Sequence, residues 1–341
     1  MHLIEREFRA TQPLGPEHKS AAPYPRAHTT PQRPPRTVLH ALMVLTRAET
    51  TPALVAPVVI GAALAWWETG ALDPAALTLA IAAFIMSAWG FAVLCDYYDY
   101  RYGRRPEARP VPCPLPSGFG LMGQAILAPQ TVRDVGRILL AIGGVCSLWL
   151  VLLAGWPLLF FSGLSFLVLW AVILLPLRYG YQGWGMGEAG IFLALGALPV
   201  LGSYYVQTHT LTWLPVWAAL PVGLLVMLLF LNYNTVHYRR DWLIHKRTLA
   251  VNLGLVRALD VSAFLTVLAH VGLLLVVTLT DLPLLALMAL AALPVGLGVF
   301  ARLERDFPTT DNCVAVYRTG AHATVLVWSL FCAALLIDKL V

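Results

Sequence analysis

Residues 214–241 read LPVWAALPVGLLVMLLFLNYNTVHYRRD, an apolar run that ends in amides, bases and one acid. No charged side chain interrupts this run before Arg239. A transmembrane α-helix needs about 20 consecutive and mostly apolar residues, and the segment meets that requirement. It therefore predicts a membrane-spanning helix with a polar, charged end at one face of the bilayer.

Eight further stretches of similar length and composition lie on either side of this one. The nine predicted spans cover residues 48–67, 75–98, 135–155, 157–177, 188–206, 213–235, 256–280, 282–301 and 319–337. Their length and their content of Leu and Ala favour helices over the ~10-residue alternating segments of a membrane barrel. The sequence predicts an all-α, polytopic membrane protein with about nine transmembrane helices.

The composition of the whole chain agrees with this fold class. Of 341 residues, 59% are hydrophobic and 12% are charged, whereas a soluble domain carries roughly 25% charged residues. So few charges would leave large apolar patches on a soluble surface. The five cysteines show no metal-ligand spacing, and a disulfide framework is not expected.

Charged residues predict how the spans are oriented. All but one of the 23 Lys and Arg residues precede the first span or flank the ends of even-numbered spans, and the exception is Lys339. The opposite loops hold Glu68, Asp73 and Asp281. The positive-inside rule then places the N-terminus in the cytoplasm and the C-terminus outside, as for a multi-pass protein of the inner (cytoplasmic) membrane. This topology explains the net charge of +5, so no nucleic-acid partner is expected.

Two regions of different character divide the chain. Residues 1–38 are polar and rich in proline, which predicts a disordered cytoplasmic tail. Residues 39–341 form one predicted helical domain with nine spans.

The first charged segment is AVLCDYYDYRYGRR, residues 92–105. Asp96 and Asp99 are three residues apart, so a helix places both carboxylates on one face. Two such acids repel each other unless a cation lies between them, and magnesium accepts carboxylate oxygens while keeping phosphate oxygens and waters as further ligands. The alternative is two interfacial acids paired with Arg101 and Arg104.

The second charged segment is LNYNTVHYRRDWLIHKRTLAVNLG, residues 231–254. Asn232, Asn234 and His237 lie near the predicted end of the sixth span, and Asp241 shares a face with His237 if the helix continues. Nearby bases can take the phosphate charge that a metal does not; they are Arg239, Arg240, Lys246 and Arg247. Alternatively, this is a basic cytoplasmic loop with one stray acid.

Taken together, two carboxylate-bearing span ends at one membrane face predict a metal–diphosphate site between them. A neighbouring apolar cavity would then hold a long hydrocarbon chain. A transporter would instead place ionisable residues near the bilayer midplane, where this sequence has few.

These motifs resemble the UbiA-type prenyltransferases, and more narrowly the 1,4-dihydroxy-2-naphthoate polyprenyltransferases of menaquinone synthesis. The resemblance covers roughly residues 42–335. It is carried, in the family's order, by LTRAETTPALVAPVVIGAALA (45–65), DYYDYRYG (96–103), YQGWGMGEAGIFLALGALPVLGSYYVQT (181–208) and HKRTLAVNLG (245–254).

The resemblance implies nine helices around a central cavity that opens sideways to lipid, with a cytoplasmic cap bearing two Asp-rich motifs. It also implies a magnesium-dependent enzyme that ionises a polyprenyl diphosphate and alkylates an aromatic acceptor. In the naphthoate branch, the acceptor loses its carboxylate.

Site residues follow from the motifs and the resemblance together. We expect Asp96, Asp99 and Asp241 to hold magnesium against the diphosphate. The expected substrate contacts are Lys246, Arg247, Arg101, Asn232, Asn234, His237 and Tyr98. Tyr98 is a candidate to stabilise the allylic cation, although such tyrosines also form interfacial belts. Glu188 is a candidate to orient or deprotonate the acceptor, although an acid at a helix start is also favoured by the helix dipole.

The sequence departs from the family pattern at five positions. Ala92, Cys95 and Tyr233 stand where asparagine is usual, Arg105 where an acid is common, and His237 where the middle Asp of the second motif is expected. Magnesium rarely prefers imidazole, so His237 is expected to contact the diphosphate or to bind another divalent ion. These departures keep two alternatives open: another acceptor, or a catalytically silent protein that binds a polyprenyl lipid.

Overall fold

The computed structural model describes residues 34–103, 113–174, 177–303 and 309–340. Within these ranges the regular secondary structure is helical, apart from one isolated parallel β-bridge between Gln182 and Arg247. The predicted tail lies almost entirely outside the described residues, as do Arg104 and Arg105.

Eight helices in the described residues are long and apolar enough to cross a membrane, and a ninth is shorter. In chain order the spans are Ala48–Thr69, Pro74–Tyr102, Pro129–Ala154, Pro157–Ile173, Met186–Thr208, Trp213–Val236, Leu255–Leu279, Leu284–Arg302 and Thr310–Leu340. Each overlaps one predicted span, so the all-α polytopic class is confirmed.

Several span boundaries differ from those predicted. The fourth span has 17 residues, about 25 Å of helix, and ends at Ile173 rather than at residue 177. The third and ninth spans begin earlier than predicted, at Pro129 and Thr310. Proline is favoured in a first turn, and the Thr309 hydroxyl accepts a hydrogen bond from the Asn312 amide. Hydropathy does not detect such start signals.

Two spans are irregular inside the membrane region. A π-helical turn, Phe192–Ala197, interrupts the fifth span directly before Leu198–Thr208. Pro199 in that next helix cannot donate a backbone hydrogen bond, so a wider turn before it is accommodated at little cost. The eighth span starts as the 3₁₀-helix Leu284–Ala292 and continues as Leu293–Gly298 and Phe300–Arg302.

The centre of the domain is an apolar core between the first, fifth, sixth, seventh, eighth and ninth spans. Representative buried members are Leu64, Val200, Leu225, Ala269 and Phe331. The third and fourth spans lie at the periphery and expose large apolar side chains, which are Ile138, Val145, Trp149, Leu152, Phe160 and Trp170 among others. Such a surface suits contact with lipid chains rather than water.

Close packing of the second and third spans depends on glycine. A Cβ at Gly143 would stand 2.8 Å from the Ser87 backbone nitrogen, whereas a Cβ at the next residue, Gly144, would meet nothing within 4 Å. Small residues at such contacts let helix backbones approach closely in membranes.

Polar contacts mark the two ends of the bundle. At one end, the Trp67 indole donates to Asp338 at 2.8 Å, and the Asp73 amide donates to the Gln207 side chain at 2.8 Å. These contacts join the ends of the first, fifth and ninth spans and the start of the second. This is the arrangement expected when successive spans cross the membrane in opposite directions. Lys339 lies at this end too, donating to the Trp67 carbonyl.

At the other end, short helices cap the spans. They are Val38–Thr46, Gly118–Gly123, Tyr238–Leu243 and Leu249–Leu253. None of the four was predicted, since each is too short or too polar for a hydropathy signal. The first begins at Val38, the last residue of the predicted tail.

Candidate functional site

Three aspartates converge beneath the capping helices around one arginine. Arg240 Nη2 lies 2.8 Å from Asp241 Oδ1 and 3.5 Å from Asp99 Oδ2, and Arg240 Nη1 lies 4.0 Å from Asp96 Oδ1. All three aspartates and Arg240 are at most 1% exposed. The two charged segments, 145 residues apart between Asp96 and Asp241, therefore meet in one buried cluster.

Two further cations complete this group. Arg47 Nη2 lies 2.6 Å from Asp96 Oδ1, and Lys246 Nζ lies 2.9 Å from Asp99 Oδ2. We call these six residues the aspartate cluster: Asp96, Asp99, Asp241, Arg47, Arg240 and Lys246. Three carboxylates thus face three cations, which is how a protein lowers the cost of burying charge.

Local backbone geometry positions each carboxylate. Asp96 and Asp99 sit one turn apart on the second span, as their spacing predicted. The sixth span ends at Val236, and a new helix begins at Tyr238. Across this break the Asp241 amide still donates to the His237 carbonyl at 2.9 Å. Asp241 therefore lies about one helical turn after His237, as in a continuous helix.

Arg47 reaches the cluster through a sharp turn. It follows the helix Val38–Thr46 with φ of 54°, and its amide donates to the Met43 and Val44 carbonyls. Glycine is the usual residue in this left-handed position because a side chain there costs energy. The turn connects this helix to the first span, and the guanidinium contacts Asp96.

Uncharged donors also hold the aspartates. The Gly118 amide donates to Asp96 Oδ2 at 2.9 Å, and the Tyr181 hydroxyl donates to Asp99 Oδ1. Tyr181 precedes the fifth span, and its carbonyl accepts from the Arg247 amide at 3.4 Å. The loop after Asp241 is thereby tied to the approach to the fifth span.

Glu188 and Asn234 form a separate pair next to the cluster. Asn234 Nδ2 donates to Glu188 Oε1 at 2.9 Å, and the Leu249 amide donates to the same oxygen at 3.2 Å. Glu188 is 4% exposed. Asn234 therefore positions a buried carboxylate rather than contacting the three aspartates.

The remaining predicted residues take other places. Asn232 accepts a hydrogen bond from the Ser262 hydroxyl of the seventh span. Tyr98 packs edge-on against Tyr97 and stacks on Tyr102, with ring centroids 5.1 and 5.6 Å away. Arg101 is exposed at the end of the second span. None of these side chains belongs to the aspartate cluster.

His237 is buried beside the cluster with its ring centroid 4.3 Å from that of Tyr233. Neither ring nitrogen has a hydrogen-bond partner among the described residues. Burial, and then the charges of Arg240, Arg47 and Lys246, hold the pKa of His237 well below its ordinary value. The ring is neutral at pH 7, so it can offer one N–H donor and one acceptor.

Lys246 stays charged despite its burial. Burial alone lowers its pKa, but Asp99 and Asp241 outweigh this effect and leave the pKa above the ordinary value. A permanently charged ammonium with three donors suits contact with phosphate oxygens.

The donor atoms of the cluster fit a magnesium ion, although cations of the chain hold most of them. Carboxylate oxygens are the ligands that magnesium prefers, and Asp241 Oδ2 is buried with no hydrogen-bond partner among the described residues. In those same ranges no group of three or more His, Cys, Asp or Glu residues is arranged as a metal site. A metal would therefore require Arg47, Arg240 or Lys246 to turn away.

An apolar cavity lies deeper in the bundle, between the first, sixth, seventh and ninth spans. Its walls include Ile60, Leu225, His270 and Phe331. Leu225 is eleven residues before the end of the sixth span at Val236, about 16 Å along the helix axis. The cavity is lined almost entirely by apolar atoms, but its volume is too small for a long hydrocarbon chain.

Sequence reasoning missed the central roles of Arg47, Arg240 and Tyr181. Arg47 lies in LTRAETTP and Tyr181 begins YQGWGMGEAG, two segments that carried the resemblance. Arg240 was one of four bases in a cationic loop. Its burial could not be read from sequence, because its neighbour Arg239 is the same residue type and is exposed.

Comparison with known proteins agrees with this fold. The model of the UbiA prenyltransferase family matches residues 54–330. The 1,4-dihydroxy-2-naphthoate octaprenyltransferase of Mycobacterium leprae (strain TN) is 30% identical over 208 residues, which covers 61% of this chain and 67% of that protein. The UbiA prenyltransferase domain-containing protein 1 of Rattus norvegicus is 27% identical over 250 residues, covering 72% of this chain and 70% of the relative.

Solved structures share the architecture. A UbiA homolog from Archaeoglobus fulgidus superposes with a TM-score of 0.62 at 11% identity, over 88% of this chain and 99% of the other. The same homolog bound to GPP and Mg²⁺ gives a TM-score of 0.58 at 11% identity, over 85% and 99%. At such identity the likeness establishes the fold alone.

Proposed function

Because the chain belongs to the UbiA prenyltransferase family, we propose that it transfers a prenyl group from a polyprenyl diphosphate to a naphthoate-type aromatic acceptor. The reaction would serve the synthesis of a menaquinone-type quinone. The observation that carries this proposal is the aspartate cluster, where carboxylates and cations from distant segments converge at one end of an apolar bundle.

Donor binding would use the cations of the cluster. Lys246, Arg47 and Arg240 present charged N–H groups at a buried site, where charge-assisted hydrogen bonds to phosphate are strong. Asp96, Asp99 and Asp241 would hold magnesium, which when bound stabilises the charge of a departing diphosphate. Arg247 and His237 would add donors at the edge of the site, with His237 acting as a neutral hydrogen-bond donor.

Acceptor binding is assigned to the Glu188–Asn234 pair. Glu188 Oε1 already accepts from Asn234 and from the Leu249 amide, which leaves Oε2 to accept from an acceptor hydroxyl. Tyr98 lies in the aromatic row with Tyr97 and Tyr102, and the ring faces of such a row stabilise an allylic cation. Arg101, exposed on the same span end, would guide the diphosphate electrostatically.

The chemistry balances without an external oxidant. The bond between the allylic carbon and the bridging oxygen breaks, and its electron pair leaves with diphosphate. The acceptor ring forms a new carbon–carbon bond to the allylic carbon. The bond from the alkylated ring carbon to its carboxylate then breaks, carbon dioxide leaves, and the electron pair of the broken bond restores the aromatic ring.

The site would lie at the cytoplasmic face of the inner membrane. The aspartate cluster is at the end of the bundle to which nearly all Lys and Arg residues map, while Lys339 lies at the other end. By the positive-inside rule, the N-terminus is then cytoplasmic and the C-terminus is outside.

The direct test is product formation by the purified protein in detergent. The protein is incubated with a radiolabelled polyprenyl diphosphate, magnesium and 1,4-dihydroxy-2-naphthoate, beside Asp99→Asn and Asp241→Asn. We expect a magnesium-dependent, labelled prenyl naphthoquinol from the unaltered protein and none from either variant. Diphosphate release without that product would point to a different acceptor.

A second candidate is a catalytically silent protein that binds a polyprenyl lipid. It is favoured by one observation: each aspartate is already paired with a cation of the chain. Prenyl diphosphate that binds but releases no diphosphate in the same assay would support it.

A further inference from the structure

Arg240 is the buried cation at the middle of the aspartate cluster. It is 1% exposed and lies within 4.0 Å of all three carboxylates. A guanidinium with five donors in a planar fork can bridge several carboxylates in a way that lysine cannot. Its sequence neighbour Arg239 is exposed, so the two arginines differ in environment and not in chemistry.

The free cluster offers little attraction to a bare divalent ion. Its three carboxylates are matched by Arg47, Arg240 and Lys246, so it has no net charge. An ion entering between Asp99 and Asp241 would also stand against the guanidinium that already contacts both. The positive charges of the ion and of the Arg240 guanidinium would repel each other strongly in this buried site.

Arg240 nevertheless has donors to spare. Its Nε donates to Asp241 Oδ1 at 2.9 Å, whereas Nη1 and Nη2 are buried and make no well-oriented hydrogen bond to any described residue. Buried donors of this kind are costly unless an acceptor arrives. A diphosphate group supplies several anionic oxygens, and Asp241 Oδ2, also without a partner, is then free to accept a metal.

We propose that Arg240 excludes a bare divalent ion from the aspartate cluster and turns its guanidinium to the diphosphate of the incoming substrate, so that metal and diphosphate bind together. This inference rests on the proposed diphosphate site. It makes metal binding at the aspartate cluster depend on the diphosphate, through Arg240.

Manganese binding tests the proposal without any turnover. Mn²⁺, read by electron paramagnetic resonance as a stand-in for Mg²⁺, is titrated into the detergent-purified protein with and without geranyl thiodiphosphate, a non-ionising donor analogue. For the unaltered protein and for the control Arg239→Gln, we expect the analogue to tighten Mn²⁺ binding by roughly tenfold or more. For Arg240→Gln, we expect Mn²⁺ alone to bind roughly tenfold tighter than to the control.

Two results would overturn the inference: tight Mn²⁺ binding to the unaltered protein without the analogue, or equal Mn²⁺ affinities for Arg240→Gln and Arg239→Gln. Either can occur while prenyl transfer persists, so the inference can fail although the proposed function holds. If Arg240→Gln does not fold, Arg240→Lys keeps the charge but loses the fork. Because the charge is kept, its Mn²⁺ affinity without the analogue should equal that of the control, whereas the analogue should tighten Mn²⁺ binding less than it does in the control; tightening equal to the control's would contradict the proposal.

Discussion

The residues of the aspartate cluster should differ in how much a single substitution destabilises the protein. Asp96 is fully buried and has its shortest contact with Arg47, 2.6 Å away. Removing one partner of a buried ion pair leaves an uncompensated charge, which costs far more than the pair contributes. The cluster should therefore be sensitive to single substitutions and more tolerant of paired ones.

We expect Arg47→Gln to destabilise the protein by about 3–5 kcal/mol, because the buried Asp96 side chain would lose its nearest cation. The double variant Arg47→Gln/Asp96→Asn removes both charges and should recover most of this loss. Thermal unfolding in detergent measures both. Equal stabilities of the single and double variants would contradict the expected recovery.

Lys246 should matter for donor affinity rather than for folding. Lys246→Met removes a charged donor next to Asp99 while Arg240 still lies 3.5 Å from that carboxylate. We expect the affinity for geranyl thiodiphosphate to fall roughly tenfold to a hundredfold, the size of a lost charge-assisted contact. Lys339→Met, at the opposite end of the bundle, is the control and should bind the analogue normally.

At the scale of the helices, the contact between the second and third spans depends on close packing, which hydropathy does not detect. The third span presents two adjacent glycines, and only Gly143 faces the second span closely. Extra volume at a closely packed helix contact forces backbone shifts. Ala at an open helical position instead raises helix propensity.

We therefore expect Gly143→Ala to destabilise the protein by about 1–3 kcal/mol, whereas Gly144→Ala should be neutral or stabilising by up to about 1 kcal/mol. The two variants differ by one residue and add the same methyl group. Thermal unfolding in the same detergent compares the stabilities of the two variants. A lower stability for Gly144→Ala than for Gly143→Ala would contradict the packing described for these two spans.

For the whole molecule, we expect the end with the aspartate cluster to face the cytoplasm. The two ends are distinguished by their contacts, and the aspartate cluster lies at the end rich in Lys and Arg. We expect alkaline phosphatase fused after Val341 to be active in a bacterial host and green fluorescent protein at the same place to be dark. The opposite pattern would place the aspartate cluster outside and remove its access to cytoplasmic diphosphates.

From the sequence alone, the class of protein, the order of the spans and the shared helix face of Asp96 and Asp99 could be predicted. Long apolar runs must be buried in lipid as helices, and carboxylates one helical turn apart share a face wherever the helix lies. These properties depend on neighbours along the chain, so local reasoning reaches them.

Only the tertiary structure decided which cations meet the aspartates. Arg239 and Arg240 are adjacent and alike in sequence, yet one is exposed and the other contacts three carboxylates. Likewise, Arg47 reaches Asp96 through a left-handed turn, and Asn234 meets Glu188 instead of the cluster. Such contacts join segments far apart in the chain, and they depend on how the helices pack and turn, which no local pattern of residues encodes.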